Sequence, residues 1–416
     1  MRVVLCKNEN DNFPHACDSL ASQFPGQSPM KSTASSLALS CLLATACSDT
    51  SSSSPCEEVD ELITTCYGEE AASEFVCDPD TAEEIADLTC AELNDIETKS
   101  DASLCSTLGF FCPADPIFPN PSGDATNYPI VLAHGFNGSP DNDWGVNPII
   151  IDALEDDGHQ VYIARVSPFK SVSIRGEELA AEIDRALVQF GAEKVNIIAH
   201  SMGGLDSRFA ISSLGYDDRV ASLVTISTPH RGSYVADAAL GLIPGLLDDA
   251  VDFVVEFYAG FITSEELAND SDLRAAFASL AESNAAQFSE ENPDAAGVYY
   301  QSWAGLSNVG RIALDSDIAP CIADGGEMHL SDGERDFMDL RLVLGAAIVA
   351  HGTALRANDG MATVESARWG DFKGCIPADH YDEIGQVGDV GPQRATGFDA
   401  AAFFRTIAFD LAQRGY

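Results

Sequence analysis

Apolar runs and amphipathic stretches alternate along the chain from Tyr128 to Ile226. Their pattern predicts buried strands at residues 129–133, 160–165, 195–199 and 221–226, and helices at residues 146–154, at residues 175–190 and from Gly204 onward. Strands that alternate with helices at this spacing indicate a mostly parallel sheet with helices on both faces. In such α/β sheets the functional residues gather at the carboxyl ends of the strands.

One of the predicted strands ends in a serine with small neighbours. Ser201 follows the run Lys194–His200 and precedes a Met-Gly-Gly sequence. This strand-to-helix turn is typical of a nucleophile elbow, which exposes the serine hydroxyl. Because a serine hydroxyl is a poor nucleophile until a positioned base accepts its proton, the pattern predicts hydrolytic chemistry. The alternative role for Ser201 is to cap the helix that follows.

A candidate acid and a candidate base follow the serine along the chain. Asp359 lies in an Asn-Asp-Gly sequence and His380 comes after it, so the order serine, aspartate, histidine is that of α/β-hydrolases. We expect His380 to take the proton of Ser201 and Asp359 to fix the tautomer of that histidine. The alternatives are a simple turn aspartate at position 359 and His230 or His351 as the base.

Ester hydrolysis passes through a tetrahedral intermediate whose negative oxygen needs hydrogen-bond donors. Two backbone N–H groups are predicted to form this oxyanion hole: Met202, next to the nucleophile, and Phe136, after a His-Gly pair. The alternative for Phe136 is a purely structural role in the core. His134 and His200 flank the site, and we expect them to pack or form hydrogen bonds there without ionising.

A long insertion lies between the predicted strand end near Thr228 and the sequence at Tyr299. Its stretch Leu246–Ile262 is apolar over most of a helix, with one acidic stripe, and this pattern fits a lid over the pocket within about residues 238–290. An ordinary core helix is the alternative.

The first 54 residues are predicted to contain a targeting signal and a tether. Residues 1–29 show neither apolar periodicity nor a targeting pattern, so we expect translation to begin at Met30. Residues 30–47 resemble a bacterial lipoprotein signal with Cys47 as the lipid-anchor site, and residues 48–54 form a Ser-rich tether. An ordinary cleaved secretory signal is the alternative. Both interpretations place the protein outside the cytoplasm, at the outer membrane or cell surface or in the medium.

The eight cysteines after Cys47 divide into two groups that agree with export. Six fall in an acidic module at residues 55–115, which is predicted to be helical, and the last two, Cys321 and Cys375, fall in the large domain at residues 116–416. In an oxidising compartment these even counts predict three disulfides in the small module, of unknown connectivity, and one in the large domain.

The net charge of the chain is −44, which is extreme for 416 residues. Such a surface repels nucleic acid, so a nucleic-acid partner is excluded. Most of these carboxylates are expected to be solvated surface groups.

Several sequences in this order identify the chain as similar to a known family. They are the His-Gly-Phe sequence at 134–136, the His-Ser-Met-Gly-Gly sequence at 200–204, the Thr-Pro-His-Arg-Gly-Ser sequence at 228–233, the Asn-Asp-Gly-Met sequence at 358–361 and the His-Tyr-Asp-Glu sequence at 380–383. The region 128–390 resembles the secreted true lipases of Pseudomonas and Burkholderia. The resemblance implies an α/β-hydrolase fold, triacylglycerol or related ester substrates, a mobile lid and a structural calcium ion.

The resemblance also implies which residues would hold the calcium ion. They are Asp382 and Asp315, with Asp317 as the alternative if the loop is shifted, and the main-chain carbonyls of Gln386 and Val390. Carboxylate and carbonyl oxygens suit this hard cation. The nearest relatives use a dedicated foldase as a partner, and the sequence does not reveal whether this chain needs one.

Two positions depart from the family pattern. Ala199 replaces the glycine that many relatives have at the elbow, and Val364 and Glu365 occupy the region in which relatives with a disulfide place a cysteine. A Cys321–Cys375 link would therefore be a different or displaced disulfide.

The sequence leaves two classes of function open. The first is an exported carboxylic ester hydrolase that acts on lipid esters at an interface, with an esterase or polyester hydrolase as its near alternative. The second is a surface lipoprotein whose hydrolase-like domain only binds a ligand.

Overall fold

The structure is a computed structural model that describes residues 116–118, 121–138, 147–243, 270–308, 315–329, 336–351, 356–385, 393 and 396–416, together with Leu62, Thr64 and Thr65. The chain divides after Cys112 into two units, and the described residues from 116 onward belong to the second. Several predictions lie outside the described residues: the signal, the tether and its Cys47, the cysteine-rich module except for those three residues, the lid segment Leu246–Ile262, and Gln386 and Val390. The side chains of Asp315 and Asp317 also lie outside them.

A seven-stranded sheet forms the centre of this unit. The described strands, which include two outside this sheet, are in chain order β1 (Ile130–Ala133), β2 (Val161–Ile163), β3 (Val195–His200), β4 (Val220–Ile226), β5 (Tyr299–Gly305), β6 (Ser307–Asn308), β7 (Glu327–Met328), β8 (Asp336–Phe337) and β9 (Asp371–Ile376). The order in the sheet is β2-β1-β3-β4-β5-β9-β7, and every pairing is parallel. β6 and β8 form a separate two-stranded parallel sheet. The predicted α/β fold with a parallel sheet is therefore confirmed.

Helices connect the strands and cover both faces of the sheet. They are α1 (Pro148–Asp156), α2 (Val172–Phe190), α3 (Met202–Ser212), α4 (Tyr234–Ala239), α5 (Ser271–Leu280), α6 (Glu282–Glu291), α7 (Asp315–Cys321), α8 (Val343–Val349), α9 (Val364–Ala367) and α10 (Ala400–Gln413). No helix within the described ranges is both long enough and apolar enough to cross a bilayer.

The core has two layers because side chains alternate along each strand. On one face, Ile130 of β1 belongs to a buried cluster with Leu154 of α1 and Phe403 of α10. On the other face, Val131 belongs to a cluster with Leu179 of α2. All residues of β1, β3 and β4 are buried. Strands buried on both faces are near-continuous apolar runs, which is why the sequence indicated them clearly.

The helix boundaries differ from the predicted ones for local reasons. α1 begins at Pro148, two residues later than expected, because the Asn147 side chain accepts the N–H of Ile149 and proline fits the first helical position. α2 begins three residues early, at Val172, and ends at Phe190 as expected, because the next residue, Gly191, has a φ of 63° that suits glycine. The helix expected from Gly204 begins at Met202, directly after the serine.

A disulfide joins Cys321 to Cys375 with a Cα–Cα distance of 5.3 Å. Both cysteines are buried. The bond links the end of α7 to β9, the strand that leads into the loop of His380. It closes a segment with a sequence separation of 54.

Candidate active site

Ser201 joins β3 to α3 in a sharp turn at the carboxyl end of the sheet. Its backbone has φ 53° and ψ −128°, a conformation that costs a non-glycine residue on the order of 1–3 kcal/mol. The two glycines after Met202 make the turn sterically feasible. A Cβ on Gly203 would lie 2.5 Å from the Ala133 carbonyl oxygen, and one on Gly204 would lie 2.1 Å from Thr228 Oγ1. The chain packs too closely here for any larger residue.

Asp359 and His380 are in direct contact. His380 Nδ1 lies 2.7 Å from Asp359 Oδ2, and the His380 N–H donates to the Asp359 carbonyl oxygen at 3.0 Å. The other carboxylate oxygen of Asp359 accepts the N–H groups of Met361 and Ala362 at 2.8 and 2.7 Å. The aspartate therefore holds both the imidazole and its own turn, and a proton on Nδ1 leaves Nε2 as the acceptor.

The charge state of Asp359 follows from its surroundings. Burial alone would raise its pKa, but the charge and hydrogen bond of His380, together with the N–H groups of Ala362 and Met361, outweigh burial and lower it below the usual value. An ionised carboxylate at this position stabilises an imidazolium.

Ser201 and His380 line a common pocket. Its volume is about 410 Å³, including space open to solvent. Most of its wall is apolar and comes from the loop His134–Phe136, α4, α5 and the turn after Asp359, with Phe136, Val235, Ala236, Phe277, Leu280 and Met361 as members. A pocket of this character accommodates an apolar chain and presents a few polar groups at one end.

The loop His134–Phe136 lies against Ser201. A Cβ on Gly135 would lie 2.7 Å from Ser201 Cβ and 3.2 Å from its Oγ. On the other side, the buried guanidinium of Arg175 donates to the carbonyl oxygens of His134 at 2.9 Å and Gly135 at 3.2 Å. Arg175 is bound in turn by Asp206 of α3 at 2.8 Å. The loop is therefore fixed from both sides.

Two ionisable groups at this contact, His134 of the loop and Asp206 of α3, have shifted pKa values. Burial and the charge of Arg175 lower the pKa of His134 to about 4, so its ring is neutral at neutral pH, as expected from the sequence. Burial raises the pKa of Asp206 to about 7, although the charge of Arg175 acts to lower that pKa.

A second polar network lies beside His380, and the sequence did not reveal it. His200 Nε2 lies 3.1 Å from Glu383 Oε2, and Ser227 Oγ donates to Glu383 Oε1 at 2.5 Å. The rings of His200 and His380 are 4.4 Å apart. Burial and the proximity of His380 lower the pKa of His200, while burial and the charge of Asp359 raise that of Glu383. His200 therefore forms hydrogen bonds without ionising, as expected.

Asp382 belongs to a group of three carboxylates. Its ligand oxygen and those of Asp336 and Asp379 all lie within 4.8 Å of one another, and Asp336 and Asp379 are buried. The sequence indicated Asp382 but not the other two. Asp336 lies 23 positions before Asp359 in the sequence, so only the fold brings it near Asp382. Asp379 is the neighbour of His380, but no sequence pattern indicated it.

The two alternative histidines are engaged elsewhere. His230 Nδ1 lies 3.4 Å from the Arg208 guanidinium, and its ring stacks on Trp369 at 5.0 Å. His351 Nε2 lies 3.1 Å from the carboxylate of Glu282. The histidine bonded to Asp359 is His380.

The parallel sheet, the strained serine at its carboxyl edge and the Asp–His pair beside it are those of an α/β hydrolase. The α/β-hydrolase family model matches residues 128–309. A triacylglycerol lipase of Vibrio cholerae is 36% identical over 47% of this chain and 67% of its own length. One of Burkholderia plantarii is 30% identical over 70% of this chain and 87% of its own. The Staphylococcus hyicus lipase structure shares 16% identity over 71% of this chain and 98% of its own, with a TM-score of 0.48. The chain belongs to the family of bacterial triacylglycerol lipases, which are carboxylic ester hydrolases.

Proposed function

We propose that this ester hydrolase acts on triacylglycerols or related lipid esters through an acyl-enzyme, with Ser201, His380 and Asp359 as its catalytic triad. The observation that carries the proposal is the 2.7 Å contact between His380 and Asp359, beside a largely apolar pocket that His380 and Ser201 both line. The apolar wall suits an acyl chain, and the three side chains supply a nucleophile, a base and an acid that orients the base.

The chemistry then proceeds in two halves. His380 Nε2 removes the proton of Ser201 as Oγ attacks the ester carbonyl, and the Phe136 and Met202 N–H groups bind the resulting oxyanion. His380 returns the proton to the leaving alcohol as the carbon–oxygen bond breaks. Water, activated by the same imidazole, then attacks the acyl-enzyme and releases the carboxylic acid and free Ser201.

Hydrolysis of a soluble chromogenic ester tests this proposal. Wild-type protein is expected to turn over the ester, and Ser201→Ala is expected to lose activity by a factor on the order of 10⁴ or more. Equal rates for the two proteins would instead support the alternative of a ligand-binding lipoprotein. A panel of short, long and polymeric esters then separates a lipase from an esterase or a polyester hydrolase.

We also propose a structural calcium ion at Asp382, with Asp336 and Asp379 as the further carboxylate ligands. Three hard oxygen donors at this spacing fit calcium, and nearby carboxylates are relieved of mutual repulsion by a cation. Asp379 already caps its turn, because it accepts the N–H groups of Tyr381 and Asp382. An ion here would hold the loop of His380. Asp315 or Asp317, Gln386 and Val390 remain the proposed sources of other ligands.

The calcium proposal predicts that a chelator lowers the melting temperature of the wild-type protein. Calcium at 100 times its dissociation constant would contribute about 2.7 kcal/mol. Asp382→Asn is expected to abolish the chelator effect, whereas the control Asp371→Asn, a substitution on β9, is expected to retain it. A melting temperature that is indifferent to chelator in all three proteins would refute the site.

For its location, we propose export and, through Cys47, a lipid tether to the membrane, with a lipase-specific foldase as the candidate folding partner. The lipoprotein-type sequence at residues 30–47 supports the tether. The mass of the mature N-terminal peptide tests it: a diacylated Cys47 is expected, and a free, unmodified residue other than Cys47 would refute the tether.

A further inference from the structure

Both peptide groups that would form the oxyanion hole are bound on their carbonyl side. The Met202 N–H belongs to the same peptide as the Ser201 carbonyl, and the Phe136 N–H belongs to the same peptide as the Gly135 carbonyl. Thr228 Oγ1 donates to the Ser201 carbonyl oxygen at 2.7 Å, and Arg175 donates to the Gly135 carbonyl oxygen at 3.2 Å. Neither contact uses the N–H that faces the reaction.

Because a trans peptide is planar, a contact to its carbonyl oxygen also sets the direction of its N–H. Its C=O and N–H bonds point in opposite directions and rotate together, so a donor that fixes the carbonyl also fixes where the N–H points. From this geometry we infer that Thr228 is a positioning residue, whose hydroxyl holds the Ser201–Met202 peptide so that the Met202 N–H points at the oxyanion. This inference rests on the proposed acyl-enzyme function.

The local backbone explains why a side-chain donor is needed. Ser201 has a φ of 53°, and residues in such sparsely populated conformations persist only when their surroundings over-determine them. The Gly204 N–H also donates to the Ser201 carbonyl, at 3.2 Å, as part of the first helical turn. The Thr228 contact is shorter and comes from outside the helix, from the loop after β4, so it resists rotation of the peptide that the helix alone would allow.

Thr228 is itself held rigidly. It is fully buried, and a Cβ on Gly204 would lie 2.1 Å from its Oγ1 and 2.7 Å from its methyl group. There is therefore no room for a side chain at position 204, and Thr228 packs directly against the backbone of α3. Its hydrogen bond also polarises the peptide it binds, which strengthens the opposite N–H as a donor.

The test compares isosteric variants at Thr228 with a matched control. Thr228→Val removes the hydroxyl and keeps the shape, Thr228→Ser keeps the hydroxyl, and Thr228→Ala avoids any crowding of Gly204 by the second methyl group of valine. The control is Thr225→Val, because Thr225 is a buried threonine of β4 whose hydroxyl contacts His230 and the Gln301 carbonyl. The readouts are kcat and KM for a soluble ester, the inhibition constant of an alkylboronic acid, and the melting temperature.

We expect Thr228→Val and Thr228→Ala to lose about 10- to 100-fold in kcat, with KM nearly unchanged, because a misdirected donor fails mainly in the transition state. The boronic acid, which forms a tetrahedral adduct on the serine, should weaken by a similar factor. Thr228→Ser should retain wild-type kcat within about threefold. Thr225→Val should retain kcat even if its melting temperature falls.

Two results would overturn the inference. One is unchanged kcat and boronic acid affinity in Thr228→Val and Thr228→Ala. The other is an equal loss of kcat in Thr225→Val, which would indicate a purely structural effect. Ser201→Ala distinguishes these outcomes from failure of the proposed function: if it is inactive while the Thr228 variants are normal, only the inference fails, and if it remains active, the proposed function fails.

Discussion

Two carboxyl groups lie near the histidines of the site, but they contact different rings. Asp359 contacts His380 at Nδ1, whereas Glu383 contacts His200 and Ser227. Of these two groups, Asp359 is the one placed to fix the tautomer of His380, the proposed base. At the scale of single residues, the proposed function therefore depends on which ring each carboxyl group contacts.

This difference predicts very different losses of kcat for two isosteric substitutions. Asp359→Asn is expected to lower kcat by a factor on the order of 10⁴, because an amide stabilises the wrong tautomer and no imidazolium. Glu383→Gln is expected to lose less than about tenfold, because the amide oxygen still accepts from Ser227 and the amide still reaches His200. Steady-state kinetics with a soluble ester measure both. Equal losses would mean that the two carboxyl groups share the role of the acid.

The residues that the sequence revealed are those in locally recognisable contexts. Ser201 ends an apolar run, and Asp359 lies in a turn sequence. Ser227 and Glu383 are 156 positions apart, and although Glu383 falls in the His-Tyr-Asp-Glu sequence at 380–383, no local pattern predicts that the two residues meet. Such a pair is created by the fold, so it could not be predicted from one sequence.

At the scale of elements, the loop of His380 depends on β9. This strand lies between β5 and β7 in the sheet and carries Cys375, whose disulfide partner lies at the end of α7. The cysteine count predicted one disulfide in this domain, and the structure contains it. The two-residue strands β6, β7 and β8 were not predicted, because they are too short to show a periodic pattern.

The disulfide is predicted to stabilise this part of the fold. A Cys321→Ala/Cys375→Ala double variant should lose about 2–4 kcal/mol of unfolding free energy and should lose activity at a lower temperature than the wild type. Denaturant unfolding and residual activity after heating measure the two effects. Reductant is not used to break the bond, because it would act on the other cysteines of the chain as well. The comparison is therefore between the wild type and the double variant without reductant. Identical unfolding of both proteins without reductant would contradict the prediction.

At the scale of the whole molecule, buried ionisable groups connect stability to pH. Burial lowers the pKa of His134 from 6.5 to about 4, so between these values the unfolded chain binds a proton that the folded protein does not. This contribution to stability is complete above about pH 6.5 and is lost as the pH falls towards about 4. Asp206 acts in the opposite sense: its folded pKa is raised from 3.8 to about 7, and its contribution is lost as the pH rises through that value.

Substitutions of these two groups should therefore change the pH dependence of the unfolding free energy in opposite directions. His134→Asn should reduce the loss of unfolding free energy between about pH 7.5 and pH 5 by roughly 2 kcal/mol. Asp206→Asn should increase that loss, because it removes a group that favours the folded state in acid. Denaturant unfolding at both pH values measures the changes. Parallel curves for the wild type and both variants would contradict them.

The sequence predicted the layered α/β architecture because each buried strand is an apolar run of its own. It did not predict the order β5-β9-β7 or the approach of Asp336 to Asp382, because these depend on contacts between distant parts of the chain. Of the three clustered carboxylates, the ligand set that the resemblance implies includes only Asp382.

In the proposed mechanism, Ser201 is a nucleophile activated by His380. Covalent labelling with a p-nitrophenyl alkylphosphonate ester, followed by peptide mass spectrometry, tests it most directly. We predict one phosphonyl adduct per molecule, on the peptide of Ser201, with stoichiometric release of p-nitrophenolate, no adduct in Ser201→Ala, and greatly slowed labelling in His380→Ala. An adduct on another residue, or undiminished labelling of Ser201→Ala, would contradict the account.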